Sequence, residues 1–142
     1  MVAMTALNPA SSCHTSTVDR TAKIVRSLSR IVGADHVLSD ADQRASHETD
    51  WTGRYTGRCA AVVRPSDTDE VARVLEYCND HAVSVVTQAG NTGLAGGGVP
   101  RSGRGDGRET IVLSTRRLDA ISDIDAGALQ ITVGAGATIA DW

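Results

Sequence analysis

The chain has no phenylalanine, and aromatic residues make up 3% of its 142 positions. Its core must therefore be built from Val, Ile, Leu and Ala. Lysine is almost missing as well: Lys23 is the only one. Cys13, Cys59 and Cys78 are odd in number and form no Cys-x-x-Cys pair, so neither a zinc site nor a disulfide framework is indicated. Reduced thiols in a cytoplasmic protein are the expectation. No apolar run is long enough to span a bilayer, and the N-terminus lacks the apolar core of a secretory signal. A net charge of −3 and a pI near 5.7 leave no electrostatic footprint for nucleic acid. The four histidines, His14, His36, His47 and His81, have no metal-ligand spacing and read as exposed or partly buried singles. What is present is a 41% hydrophobic share, enough for one modest domain.

Residues 1–17 are Ser/Thr-rich and free of acids and read as a disordered tail. Val18, Ala22, Val25, Leu28 and Ile31 or Val32 trace one helical face over residues 18–32, capped by Thr17 and ended by Gly33. A short extended piece at Val37-Leu38 precedes a second helix that ends near His47. Residues 50–57, DWTGRYTG, form a loop whose two aromatics pin it to the domain. Residues 59–64 read as a buried strand. The clearest helix spans residues 68–81, with Val71, Val74, Leu75 and Cys78 on one face and Asp67 and Glu70 as a capping pair. A strand over residues 82–88 completes a βαβ unit, so its two strands are expected to be parallel. The polar insert at residues 101–109 reads as an exposed excursion. A strand follows at residues 110–114, then extended segments around Ile121 and Ile124 and at residues 129–133, joined by an Asp125-Ala126-Gly127 turn. Thr138 reads as the cap of a helix that has only begun when the chain stops at Trp142, so the chain looks cut short.

The functional signal is the stretch 87–100, TQAGNTGLAGGGVP. Five of the chain's 14 glycines lie between Gly90 and Gly98, directly after a buried strand. Successive exposed N–H groups in such a turn make a nest for an anion. A P-loop requires GxxxxGK(S/T), and no lysine is near. A dinucleotide-binding Rossmann turn requires GxGxxG, whereas residues 90–96 have GxxGxxG spacing. Gly134-Ala135-Gly136 also follows a strand but lacks the third glycine, so a Rossmann half that binds a nicotinamide nucleotide stays open as a weak alternative. The third design holds a pyrophosphate with backbone N–H groups and small side chains. Residues 88–99 fit it, and residues 134–138 fit it less strongly. In this design Asn91 and Thr92 add side-chain donors.

Five segments then come together in order: 50–57 (DWTGRYTG), 61–78 (AVVRPSDTDEVARVLEYC), 85–100 (VVTQAGNTGLAGGGVP), 111–125 (IVLSTRRLDAISDID) and 131–142 (ITVGAGATIADW). With them the chain resembles the vanillyl-alcohol-oxidase-like FAD-linked oxidases, which have a PCMH-type FAD-binding domain. It is most similar to their D-lactate dehydrogenase, glycolate oxidase and D-2-hydroxyglutarate dehydrogenase branch. The resemblance covers about residues 38–142. It implies an α+β fold: a helical segment and loop at 18–57, then the first half of a PCMH-type domain at 58–142, made of a βαβ unit and further strands. It implies an FAD pyrophosphate on Gly90, Asn91, Thr92, Gly93 and Leu94, with Gly96, Gly97 and Gly98 completing the loop. Many members of the group carry a flavin-bonding His near the position of Asn91. Asn cannot form that bond, so non-covalent FAD is implied. Ala89 departs from the branch's usual Gly, and the insert at 101–109 is longer than usual. The implied parent activity is oxidation of a D-2-hydroxy acid to the 2-oxo acid. The substrate would be held by a cap domain that carries the metal-binding histidines and is absent here, so this chain supplies no catalytic residue and no metal ligand. The alternative is a truncated or split-frame product without catalysis of its own, or one complemented by a second polypeptide carrying the remainder.

Overall fold

The computed structural model describes residues 11–101 and 108–138, with side chains from residue 18 onward. Helix α1 (Ser11–Val32) leads through a 3-10 turn (Ala34–His36) into β1 (Val37–Leu38) and α2 (Ala41–Glu48). Then come β2 (Ala61–Val63), α3 (Thr68–Asp80), β3 (Ser84–Gln88) and β4 (Thr110–Ser114). The strands form one sheet in the order β1-β2-β4-β3. β1 runs antiparallel to β2, while β2 and β3 both run parallel to β4. This is the expected α+β arrangement.

The two strands of the βαβ unit, β2 and β3, are parallel, as expected, with a third strand, β4, between them. The reason is burial. Ile111, Val112 and Leu113 are apolar at every position and at most 3% exposed, as suits a parallel strand covered on both faces. Side chains then sort by the two-residue period of a strand. Ala61, Val63, Ile111 and Leu113 face α1 and α3, where they meet Ile24, Leu28, Val32, Val74 and Cys78. Val62 and Val112 face the other way, with Cys59 and Leu38.

The buried face of α1 is Ile24, Leu28 and Val32, with Val25 and Ile31 at its flanks. Val18 is 68% exposed, so the true stripe is rotated from the one predicted. The helix also begins at Ser11 rather than after Thr17. Gly33 ends it as expected, with φ +88° and its N–H donated to the Ser29 carbonyl. In α3, Val74 and Cys78 are buried while Leu75 is exposed. Asp67 caps this helix by accepting the Glu70 N–H at 2.8 Å. The Glu70 carboxylate reaches back to the N–H of Ser66, one residue before the cap.

The extended segments after β4 do not form a ladder. They meet at isolated antiparallel bridges, Ile121 with Val133 and Asp125 with Gln130. The Asp125 carboxylate accepts the N–H groups of Gly127 and Ala128, which sets the turn. Leu129 takes φ +53° and breaks the alternation. The expected helix beyond Thr138 and the centre of the 101–109 insert lie outside the described residues. No helix among the described residues is long and apolar enough to cross a membrane.

Candidate phosphate-binding loop

β3 delivers the chain at Gln88 into residues 89–98, which have no regular structure, and Val99 and Pro100 return it to the interior. All eight predicted site residues, Gly90, Asn91, Thr92, Gly93, Leu94, Gly96, Gly97 and Gly98, thus sit on one loop closed at both ends. Most are exposed, and Gly96 is buried. Among the described residues, the backbone N–H groups of residues 90–98 have no acceptor. The backbone bond at this loop's end is donated by Val99 to the Gly96 carbonyl at 3.2 Å. Consecutive N–H groups left open in this way form the nest that an anion fills.

The glycines serve different ends. Gly96 takes φ +67°, and a Cβ there would lie 2.5 Å from the Tyr55 ring. At Gly93 and Gly97 a Cβ would meet nothing within 4 Å, so the outer face of the loop is open there. At Gly98 it would lie 3.3 Å from the Asn91 Oδ1.

Side chains clamp the loop from within. Gln88 is 3% exposed. Its Nε2 donates to the carbonyls of His47 (3.0 Å) and Gly98 (2.8 Å). Its Oε1 therefore accepts, and His47 Nδ1, 2.5 Å away, carries the proton. Asn91 takes φ +54°, a conformation Asn tolerates. Its Nδ2 donates to the Thr49 carbonyl at 2.9 Å. That carboxamide ties the loop down, whereas the sequence reading had it reach for phosphate.

The DWTGRYTG segment is the wall behind the loop, as its aromatics suggested. Trp51 donates its indole N–H to the Thr92 carbonyl at 3.1 Å, and Tyr55 packs on Gly96. Asp50 holds this segment in shape. It is 4% exposed and accepts the Thr52 hydroxyl and the Tyr55 N–H. These donors, the Thr52 hydroxyl first, hold its carboxyl below the usual value.

Sequence reasoning missed Gln88, His47 and Asp50. A polar residue closing an apolar strand, immediately before the glycines, was the available signal for Gln88. The second glycine piece behaves differently from the first. Gly134 and Gly136 donate their N–H groups to the Ala120 and Leu118 carbonyls. A Cβ on them would lie 2.0 Å from the Leu118 oxygen and 2.1 Å from the Thr115 oxygen. They allow two backbones to touch and offer no phosphate nest, which removes them as a Rossmann turn. No metal-ligand group of three or more His, Cys, Asp or Glu occurs among the described residues.

Comparison with known proteins gives the same direction. Over 118 residues the chain is 33% identical to a quinone-dependent D-lactate dehydrogenase of Haemophilus influenzae, covering 82% of this chain and 20% of the relative. Over 78 residues it is 40% identical to a mitochondrial D-2-hydroxyglutarate dehydrogenase of Arabidopsis thaliana, covering 55% and 14%. A solved structure of alkyldihydroxyacetonephosphate synthase matches with a TM-score of 0.72 at 19% identity, over 84% of this chain and 23% of that one. That likeness supports the fold. The chain spans 14% to 22% of the length of its curated relatives. A family model described as an FAD binding domain matches residues 59–142. The chain belongs to the FAD-binding domain family.

Proposed function

We propose that this chain is the N-terminal portion of an FAD-dependent oxidoreductase that oxidises a D-2-hydroxy acid, of the lactate, glycolate or 2-hydroxyglutarate kind, to the 2-oxo acid. Its part is to hold the FAD pyrophosphate on the N–H groups of Gly90, Asn91, Thr92, Gly93 and Leu94, with Gly96, Gly97 and Gly98 shaping the loop. The observation that carries this reading is the run of N–H groups at residues 90–98 without a partner among the described residues. A diphosphate fits such a cradle because hydrogen bonds to a charged acceptor are stronger than neutral ones. Bound flavin supplies the two-electron acceptor, and the protein binds and orients it. Asn91 has no nucleophilic atom for a flavin bond, so the cofactor is held non-covalently and acid precipitation of the assembled enzyme releases it.

No catalytic residue or metal ligand is assigned to this chain. The substrate-binding groups belong to a cap domain, carried by the same polypeptide or by a second one. The cytoplasm is the proposed compartment. Ile124 and Leu129 are 74% and 89% exposed, which favours a chain that contributes part of a binding site.

The test is flavin titration by equilibrium dialysis, with and without the remainder of the FAD domain. The 142-residue chain alone should bind FAD weakly, and addition of the remainder should tighten it. Tight, stoichiometric yellow flavin on the chain alone contradicts the divided site. Binding of a nicotinamide nucleotide without FAD contradicts the cofactor.

A further inference from the structure

Six of the nine residues 90–98 are glycine or alanine, so the directions of their N–H groups must be imposed largely from elsewhere. Among the described residues, two side chains of the strand end and loop make hydrogen bonds to fixed partners, Gln88 and Asn91. Both donate to carbonyls at the end of α2: Gln88 to His47 and Asn91 to Thr49. Gln88 does more. Its second N–H grips the Gly98 carbonyl, ten residues along the chain, so one carboxamide joins the start of the loop to its end. Its backbone carbonyl accepts the Thr115 N–H at 3.0 Å, which fixes the same residue to the end of β4. At 3% exposure water does not compete for these bonds. Every hydrogen-bonding position of the side-chain nitrogen is used, and its oxygen is held by His47 Nδ1.

We infer that Gln88 is a positioning residue for the phosphate loop and that His47 fixes its orientation. Gln88 does not touch the phosphates. It sets the span between residues 88 and 98 and thereby aims the N–H groups between them. His47 acts one step further back. Its carbonyl accepts one Nε2 hydrogen and its Nδ1–H holds Oε1, so both ends of the carboxamide are tied to His47 while the second N–H is left for Gly98. Without that donor Oε1 is left unpaired in a buried site, and the carboxamide is held by its nitrogen alone. This inference rests on the pyrophosphate reading of the loop and names the residues that organise it.

The test uses the 142-residue chain, labelled with nitrogen-15 and titrated with inorganic pyrophosphate and, separately, with FAD. The wild-type chain should show saturable shifts at the amides of residues 90–94. Gln88→Leu, close in size, and His47→Leu should each weaken pyrophosphate by about tenfold, as expected when one well-made hydrogen bond no longer orders the site. His47→Asn, which returns an N–H near the Nδ1 position, should restore most of the affinity. Resonances of β4 and α3 that stay in place in the variants separate positioning from unfolding. If Gln88→Leu does not fold, the two His47 variants carry the decision. Equal affinity in wild type and variants, with loop amides shifting in both, overturns the role of Gln88 and leaves the pyrophosphate reading standing. A wild-type chain whose loop amides respond to neither probe overturns both.

Discussion

Gly93 and Gly96 stand three residues apart in one loop and answer to different constraints. Gly96 has a left-handed backbone and lies under the Tyr55 ring. Gly96→Ala should destabilise the chain by about 1–3 kcal/mol, measured by urea unfolding. Gly93 has open space around its missing Cβ. Gly93→Ala should change stability by less than about 0.5 kcal/mol, yet weaken pyrophosphate, because the methyl group enters the ligand's side of the cradle. Equal effects of the two substitutions on stability would contradict this division. The cysteines give a second test at this scale. Burial pushes the Cys59 thiol up to about 12, with Glu48 adding to it, and pushes Cys78 up to about 11. In a Cys13→Ser background neither should react with an aromatic disulfide reagent at pH 8 until denaturant is added. Rapid labelling of the folded chain would contradict the burial of both.

At the scale of elements, most of the fold was legible in the sequence because its helices and strands keep simple periods. Val71, Val74 and Cys78 marked α3, and the TIVLS run marked β4. Strand order was not legible. The βαβ pattern places β2 and β3 parallel, but which strand fills the space between them depends on burial from both faces, a property of the assembled sheet. The α1 stripe was misread by one register step because Ala22 and Val18 continue the apolar pattern onto an exposed face. Gln88 was hidden because its partners, His47 and Gly98, lie 41 and 10 residues away. Leu28 is fully buried between α1 and the sheet, and Leu28→Ala should cost about 2–5 kcal/mol, read as a lower denaturation midpoint. The α3 cap supplies a pH dependence. The Glu70 N–H holds the Asp67 carboxyl below its ordinary 3.8. The unfolded chain therefore takes up that proton first, and the cap's contribution, present above about pH 3.8, is lost as pH falls through the folded value. Asp67→Asn keeps a capping oxygen without titrating. Its stability should decline less than that of the wild type between pH 5 and acid pH, and identical acid limbs would contradict the linkage.

For the whole molecule, the sheet with α1 and α3 is a scaffold, and the candidate loop lies beyond the end of β3. The glycine loop rests on the end of α2 and on the 50–55 turn, so a part of the chain that sequence alone placed outside the FAD-binding domain supports its central loop. Beyond β4, the 118–134 segment exposes Ile124 and Leu129, and Gly134 is spent on backbone contact. The proposed cradle is therefore a single loop with an inner clamp and an open outer face. The most direct measurement of that claim is a nitrogen-15 amide titration of the wild-type chain with FAD. The account predicts saturable shifts confined to residues 90–98 and the Trp51–Tyr55 wall, while the amides of Gly134 and Gly136 stay in place. Shifts at Gly134 and Gly136 with the 90–98 amides silent would contradict it.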